Sequence, residues 1–156
     1  MKKTRSLFTL LAVGIMIWEG CSKKEEPPPS TEGYSVNGGT TSHKNGSICM
    51  DCHNASATTT YQWVVAGSVY KPDQTTPAPN GILFFWTKAN GTGDIISTLE
   101  IDANGNFFTN VSILPGLGAY PQLRGVSGDV KNMPVLATTG NCNSCHGVTD
   151  DPIWVN

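Results

Sequence analysis

The chain has 156 residues, with 10 Lys and Arg side chains against 12 Asp and Glu, which gives a formal net charge of −2. This length holds one modest domain and excludes large two-domain enzymes. Charged residues make up only 14% of the chain, while 17 Gly and 10 Pro favour short strands and tight turns, so a long coiled coil is excluded. The acidic balance argues against a nucleic-acid partner.

The first 20 residues have the pattern of an export signal. Lys2, Lys3 and Arg5 precede an apolar stretch from Leu7 to Trp18. The stretch has the length of a signal peptide and is too short for a spanning helix. We therefore predict that residues 1–20 are removed, leaving 7 basic and 11 acidic side chains. A buried N-terminal helix is the alternative, which the absence of helical periodicity disfavours.

A cysteine follows this stretch directly. Gly20 and Cys21 end the run IWEGC, which resembles a bacterial lipobox. The resemblance implies acylation of the Cys21 thiol and a protein anchored to a membrane by lipid rather than spanning it. Ser22 resembles the residue found in lipoproteins sorted to the outer membrane, and SKKEE resembles a tract that directs some of them to the cell surface. We expect an exported outer-membrane lipoprotein, facing the periplasm or displayed on the surface.

The segment after the cysteine is polar. SKKEEPPPSTEG carries charge and prolines but no apolar residue, so it supports no packed core. We predict a flexible tether over residues 21–40 and one domain over residues 41–156. A solvated linker without an address function is the alternative interpretation of the charged tract.

The other four cysteines form two identical patterns. Each pattern is a C-x-x-C pair followed at once by histidine, CMDCH at 49–53 and CNSCH at 142–146. This is the attachment motif of c-type haem, so the sequence predicts two covalent haems. The thiols predicted to form thioethers with the haem vinyl groups are those of Cys49, Cys52, Cys142 and Cys145.

The two histidines of these motifs are the predicted proximal ligands of the haem irons. His53 and His146 would each bind iron through one ring nitrogen, while the other nitrogen bonds an acceptor that orients the ring. The four thiols alternatively form a four-cysteine zinc site, or two disulfides in an oxidising compartment. Neither alternative explains why a histidine follows both cysteine pairs.

The sixth iron ligands are less constrained. The chain has three histidines, so His43 is the one left over. It lies in the loop SHKNGSIC and resembles the upstream histidines of multihaem cytochromes, which implies a distal ligand; a solvated loop histidine is the alternative. Met133, nine residues before Cys142, is a candidate distal ligand at the other haem. A histidine from another subunit, water, and a core-packing role for this methionine stay open.

The segment between the motifs has a β pattern. Four runs rich in β-branched and aromatic residues, separated by Gly, Pro and Asn, predict strands within 61–70, 82–88, 94–101 and 106–113. Asn-Gly pairs at 80–81, 90–91 and 104–105 supply residues that tolerate positive φ. Proline in 119–126 and 130–136 predicts edge strands there. We expect a mainly β fold, a small antiparallel β-sandwich at about 60–137 flanked by two haem-attachment loops.

The run from 65 to 110, with its G-x-V strand and DANGNF turn, resembles carboxypeptidase regulatory-like domains. That resemblance implies a transthyretin-like β-sandwich and says little about activity. The whole layout resembles exported dihaem cytochromes with a sandwich between two motifs. Adjacent aromatics at 84–85 and 107–108 must point to opposite faces of their strands, so one of each pair needs a cover outside the core, and a haem face would provide it.

These features together predict electron transfer outside the cytoplasm by a lipid-anchored dihaem c-type cytochrome, an electron carrier and not an enzyme. Its partners would be redox proteins or other cytochrome subunits, and assembly into an oligomer or filament stays open. A small dihaem peroxidase-type enzyme is one alternative. A non-haem β-sandwich binding module with zinc or disulfides is the other.

Overall fold

A computed structural model describes residues 33–56, 61–113, 116 and 118–156. The predicted signal peptide, Cys21 and the first part of the predicted tether lie outside the described residues. Within the described ranges, no helix has the length and apolar character needed to cross a membrane.

Two antiparallel sheets form the described part of the chain. One pairs β1 with β4, and the other has the order β3-β2-β5-β6. The elements are α1 Cys49–Cys52, β1 Val65–Ser68, β2 Ile82–Lys88, β3 Thr92–Glu100, β4 Asn106–Thr109, β5 Tyr120–Arg124, β6 Val130–Asn132 and a 3₁₀ turn at Cys142–Ser144. The predicted mainly β class and antiparallel sandwich are confirmed, and each of the four predicted strand runs overlaps one strand.

The core lies between the two sheets and is filled by alternate strand residues. Phe85 on β2 and Phe107 on β4 are both 1% exposed, so each sheet contributes one buried aromatic ring. Their neighbours Phe84 and Phe108 point to the opposite faces and are half-buried, as the two-residue period of a strand requires. The other large apolar core residues are Val65, Val69, Leu83, Leu99, Ile101, Ile113, Leu123 and Val155.

The small sheet is extended at both edges by segments from outside the strands. Tyr34 forms a bridge with Thr109, and Ala66 forms one with Asn141. β1 therefore has β4 on one side and the segment before the second cysteine pair on the other, which explains why all four of its residues are buried. The two CxxCH segments consequently belong to the same half of the sandwich.

The predicted tether, residues 21–40, includes residues that the structure places against the sandwich. The Ser35 N–H donates to the Phe108 carbonyl (2.9 Å), and the Ala103 N–H donates to the Gly39 carbonyl (2.8 Å). The prediction that residues 33–40 belong to a tether is thus wrong, and they pack against the sandwich. These are backbone contacts with strands more than sixty residues away, which the composition of the segment does not reveal.

The edge-strand prediction is half right. β6 lies at an edge and ends at Asn132, but β5 lies between β2 and β6, so the prediction for 119–126 is wrong. The carbonyl of Pro121 accepts the Met133 N–H (3.0 Å), so the backbone polar groups of Pro121 point toward the β6 side of β5. β6 ends at Asn132, one residue before Met133, so Pro121 has no partner within β6 itself. The missing N–H of proline therefore costs the sheet no strand–strand hydrogen bond.

The Asn-Gly turns adopt the predicted backbone conformation. Positive φ angles occur at Asn80 (62°), Asn90 (60°) and Gly105 (76°). In the last of these turns, the buried Asp102 carboxylate accepts the N–H groups of Asn104 and Asn106, both at 2.9 Å. This turn sets the start of β4, and the side chain of Asn106 faces the first CxxCH loop.

Candidate functional site

The first cysteine pair lies on a single helical turn. In α1, Cys49 and Cys52 are three residues apart and therefore share one face of the turn. The His53 N–H donates to the Cys49 carbonyl (3.0 Å), which places the histidine directly at the end of the turn. The Asn54 side-chain amide donates to the Met50 carbonyl (2.9 Å) and stabilises the same end.

The ring of His53 is held by the chain segment that enters β1. Its Nδ1 lies 2.9 Å from the Tyr61 carbonyl oxygen, and its ring stacks on Trp63 with centroids 5.1 Å apart. The Trp63 N–H also donates to the His53 carbonyl (2.8 Å). Because a carbonyl oxygen only accepts, the neutral ring carries its proton on Nδ1 and leaves the Nε2 lone pair available to a metal.

A cleft of about 380 Å³ opens beside this turn. His53 and His43 both line it, and their ring centroids are 5.8 Å apart. Phe108 and Trp63, with ring centroids 4.8 Å apart, form part of its apolar wall. Other residues lining the cleft include Tyr34, Ser47, Ile48, Cys49, Cys52 and Tyr61.

The distance between the two imidazoles suits a shared metal ion. Metal–nitrogen bonds of about 2 Å on opposite sides of one ion place two imidazole centroids roughly 6 Å apart. The 5.8 Å between His43 and His53 agrees with this spacing. His43 lies on an exposed loop and lines the cleft beside His53. Its predicted role as a distal ligand is therefore compatible with its position.

The second cysteine pair repeats the arrangement of the first. Cys142 begins a 3₁₀ turn, and the His146 N–H donates to the Cys142 carbonyl (3.0 Å). His146 Nδ1 lies 2.9 Å from the Asp151 carbonyl oxygen, so this ring also keeps its Nε2 lone pair for a metal. In both motifs, a backbone carbonyl a few residues downstream orients the histidine.

The four thiols do not meet in one place. No disulfide joins the cysteines of the described chain, and its described residues contain no group of three or more Cys, His, Asp and Glu side chains placed to hold a metal ion. In each motif the second cysteine, Cys52 or Cys145, is the more exposed one.

Burial distinguishes the first cysteine of each motif. Burial raises the pKa of the Cys49 thiol, and it raises the pKa of the Cys142 thiol to about 12, with a smaller contribution from the nearby Cys49 and Cys145. Cys142 also lies within reach of a hydrogen bond to the Gly140 carbonyl (3.5 Å). The first thiols of the two motifs therefore lie near each other against β1.

We expect iodoacetamide at pH 8 to alkylate Cys145 before Cys142 in the folded chain made without haem attachment. The thiolate is the nucleophile, and a pKa of about 12 leaves Cys142 a thiolate fraction on the order of 10⁻⁴ at that pH. Below this pKa, the Cys142 rate should rise about tenfold per pH unit. Tandem mass spectrometry measures both rates by localising the label within the C-terminal tryptic peptide, residues 132–156, which contains both cysteines. Denatured chain, in which the two thiols should react alike, is the control, and equal rates in the folded chain would contradict the burial of Cys142.

One sequence prediction stays untested and another is contradicted. Met133 follows β6 and its N–H donates to the Pro121 carbonyl of β5. Its predicted role concerns the second haem, so its absence from the cleft beside the first motif leaves that role a prediction. Of the two outward-facing phenylalanines, Phe108 lines the cleft, whereas Phe84 is covered by the Arg124 guanidinium, 4.7 Å from its ring centroid. The expected haem cover of Phe84 is therefore wrong, because a cation on the neighbouring strand covers that ring.

Sequence reasoning missed the residues that orient the histidines. Tyr61 and Asp151 act through their backbone carbonyls, which no residue type reveals. The stacking of Trp63 on His53 depends on the return of the chain after the first motif. Aromatic residues eight to ten positions after CMDCH were the one available signal.

No protein-family model, curated protein or solved structure matches this chain. The resemblances to a lipobox, to carboxypeptidase regulatory-like domains and to dihaem cytochromes therefore stay predictions.

Proposed function

We propose that this chain is a dihaem c-type cytochrome that transfers electrons outside the cytoplasm. The observation that carries the proposal is the first site, where two thiols on one helical turn adjoin an oriented His53, and the His43 ring lies in the same cleft with its centroid 5.8 Å from that of His53. The second motif repeats the thiols, the turn and the oriented histidine. Such a donor set suits haem c, which supplies a reversible one-electron change at iron when bound.

The chain's own residues have separate tasks at the first site. Cys49 and Cys52 would hold the macrocycle covalently, which suits an exported protein that cannot recover a lost cofactor. His53 would bind the iron through Nε2, and His43 would occupy the opposite side. Trp63 and Phe108 would cover an apolar face and exclude water from it.

The lining of the cleft favours an electron carrier over an enzyme. Among the described residues that line it, no Asp, Glu or Arg is present. A peroxidase-type reaction needs an acid–base group beside an open iron position. If His43 and His53 both bind the iron, neither imidazole is free to act as that group, and the first site has no open position.

The cellular setting of this function depends on the N-terminal segment. Removal of residues 1–20 and acylation of Cys21 would tether the domain to the outer membrane, facing the periplasm or the cell surface. Electrons would then pass to redox proteins or to other cytochrome subunits. Assembly into a homo-oligomer or filament is a further part of this proposal that the single chain leaves open.

An absorption spectrum of the protein tests the proposal. The full chain should be exported from a host with c-type haem maturation, and the haem retained by the denatured chain should be counted. Two covalent haems and reversible reduction would support the proposal. A colourless chain that holds zinc or disulfides would overturn it, and rapid peroxide turnover by the ferric protein would favour the enzyme alternative.

A further inference from the structure

Asn143 lies between the two cysteines of the second motif and reaches into the loop of the first. The residue is 3% exposed, although the C-x-x-C-H pattern sets no residue type at this position. Its side-chain amide donates to the Ser47 carbonyl (2.8 Å), two residues before Cys49. Its Oδ1 accepts the Ser68 N–H (3.0 Å) at the end of β1. One buried side chain thus links both motifs to one strand.

Ser68 provides the second half of this connection. Its hydroxyl oxygen accepts the Gly46 N–H (2.8 Å) and the Asn143 amide (3.1 Å), and its hydroxyl donates to Asn106 Oδ1 (2.8 Å). Asn106 in turn receives the Asn45 amide at 3.2 Å. We call the four residues Ser47, Ser68, Asn106 and Asn143 the inter-motif bridge.

The side chains of Ser68, Asn106 and Asn143 are buried and their hydrogen-bonding groups are paired, whereas Ser47 joins the bridge at the surface through its carbonyl. Removing one partner from such a network leaves a buried donor or acceptor unsatisfied, at a cost of about 1–3 kcal/mol. Gly67 allows the second motif to come this near, since an added Cβ would overlap both the Phe107 ring and the Cβ of Cys142. The spacing of the two motifs is therefore set by packing as well as by hydrogen bonds.

We propose that Asn143 is a positioning residue that holds the two haem sites at a fixed separation and orientation, so that electrons pass between them within one chain. The inference rests on the proposed function, because it assigns a task to the chain between two haems. It adds that the two sites form one coupled unit rather than two independent carriers. The Ser47–Asn143 hydrogen bond carries the inference.

Circular dichroism in the Soret band tests this proposal. Two haems at a close and fixed arrangement couple their Soret transitions and give a two-signed band, whose amplitude depends on their separation and orientation. We expect the two-signed band in the full chain carrying two haems. A variant that loses this band but still carries two haems has changed the separation or orientation of the haems. A general loss of stability would instead lower the haem count.

Asn143→Asp is the sharpest variant. The new carboxylate still accepts the Ser68 N–H, but it has no proton to donate and repels the Ser47 carbonyl. We expect two haems per chain and loss of most of the two-signed band. Asn54→Asp is the matched control, because within the described residues the Asn54 side chain bonds only to Met50, Asp51 and Ser56 beside the first motif and makes no hydrogen bond to the bridge, so its substitution should leave the band unchanged.

Ser68→Ala is a second variant that breaks the other half of the bridge. It removes the hydroxyl shared by Gly46 and Asn143, and it should also diminish the band. If both variants carry two haems and keep the full band, the proposal is overturned. If neither accumulates with two haems while the Asn54 variant does, the bridge is a folding determinant alone, which also overturns it.

The same measurements separate the two proposals. A full chain with two haems and no two-signed band overturns the positioning role of Asn143 and leaves the dihaem function standing. A full chain without covalent haem overturns the dihaem function itself, and the positioning role with it.

Discussion

A chain carrying Cys142→Ser and Cys145→Ser should retain one covalent haem where the parent chain retains two. Each motif is a local turn with its own oriented histidine, so attachment at the first motif does not require thiols in the second. Serine preserves the size of the side chain but forms no thioether. The mass of the denatured chain and its haem absorbance measure the stoichiometry.

The reciprocal variant completes this experiment. Cys49→Ser with Cys52→Ser should also leave one haem, now at the second motif. Ser144→Ala is the control, because it removes a hydroxyl that bonds the Asn141 carbonyl inside the second motif and leaves both thiols in place. An unchanged haem mass in either double variant would show that these thiols are not the attachment points.

His43→Ala should change the ligation of one haem iron and leave the other unchanged. The imidazoles of His43 and His53 line the same cleft with ring centroids 5.8 Å apart, and alanine provides no replacement ligand. We expect one of the two irons to change from low-spin to high-spin in the ferric protein, with loss of the corresponding low-spin signal. Electron paramagnetic resonance measures both populations in one spectrum.

Lys44→Asn is the matched control for His43. Lys44 is the next residue, lines the same cleft and has a positive φ of 50°, which asparagine tolerates. This variant should keep the spectrum of the parent chain. An unchanged spectrum together with unchanged reduction potentials in His43→Ala would show that His43 is a solvated loop residue.

Local patterns predicted the strands and turns well. The runs around Phe85 and Phe107 combine β-branched and aromatic residues in a two-residue period, and Asn90 and Gly105 have the residue types that positive φ requires. The edge position of 119–126 was predicted wrongly because proline excludes only the side of a strand on which its missing N–H is needed. Which side of β5 faces a neighbour depends on the sheet order.

The sequence predicted the reactive side chains of the site but not the neighbouring groups that orient or cover them. The spacing of the motifs at 49–53 and 142–146 identifies the candidate thiols and proximal histidines. His43 is the one histidine outside these motifs, which makes it the candidate distal ligand. The carbonyl of Tyr61 and the arginine that covers Phe84 came from the packing of distant segments. Backbone acceptors and cross-strand neighbours have no local sequence signal.

The sequence by itself determined the β class, the places of the turns and the identity of the thiols and imidazoles proposed to hold two haems, because these depend on residue type and on separations of a few residues. Only the tertiary structure decided that residues 33–40 pack on the sandwich, that His43 and His53 line one cleft, and that Asn143 joins the two motifs. These contacts unite residues far apart in the chain, and their geometry follows from sheet order and core packing.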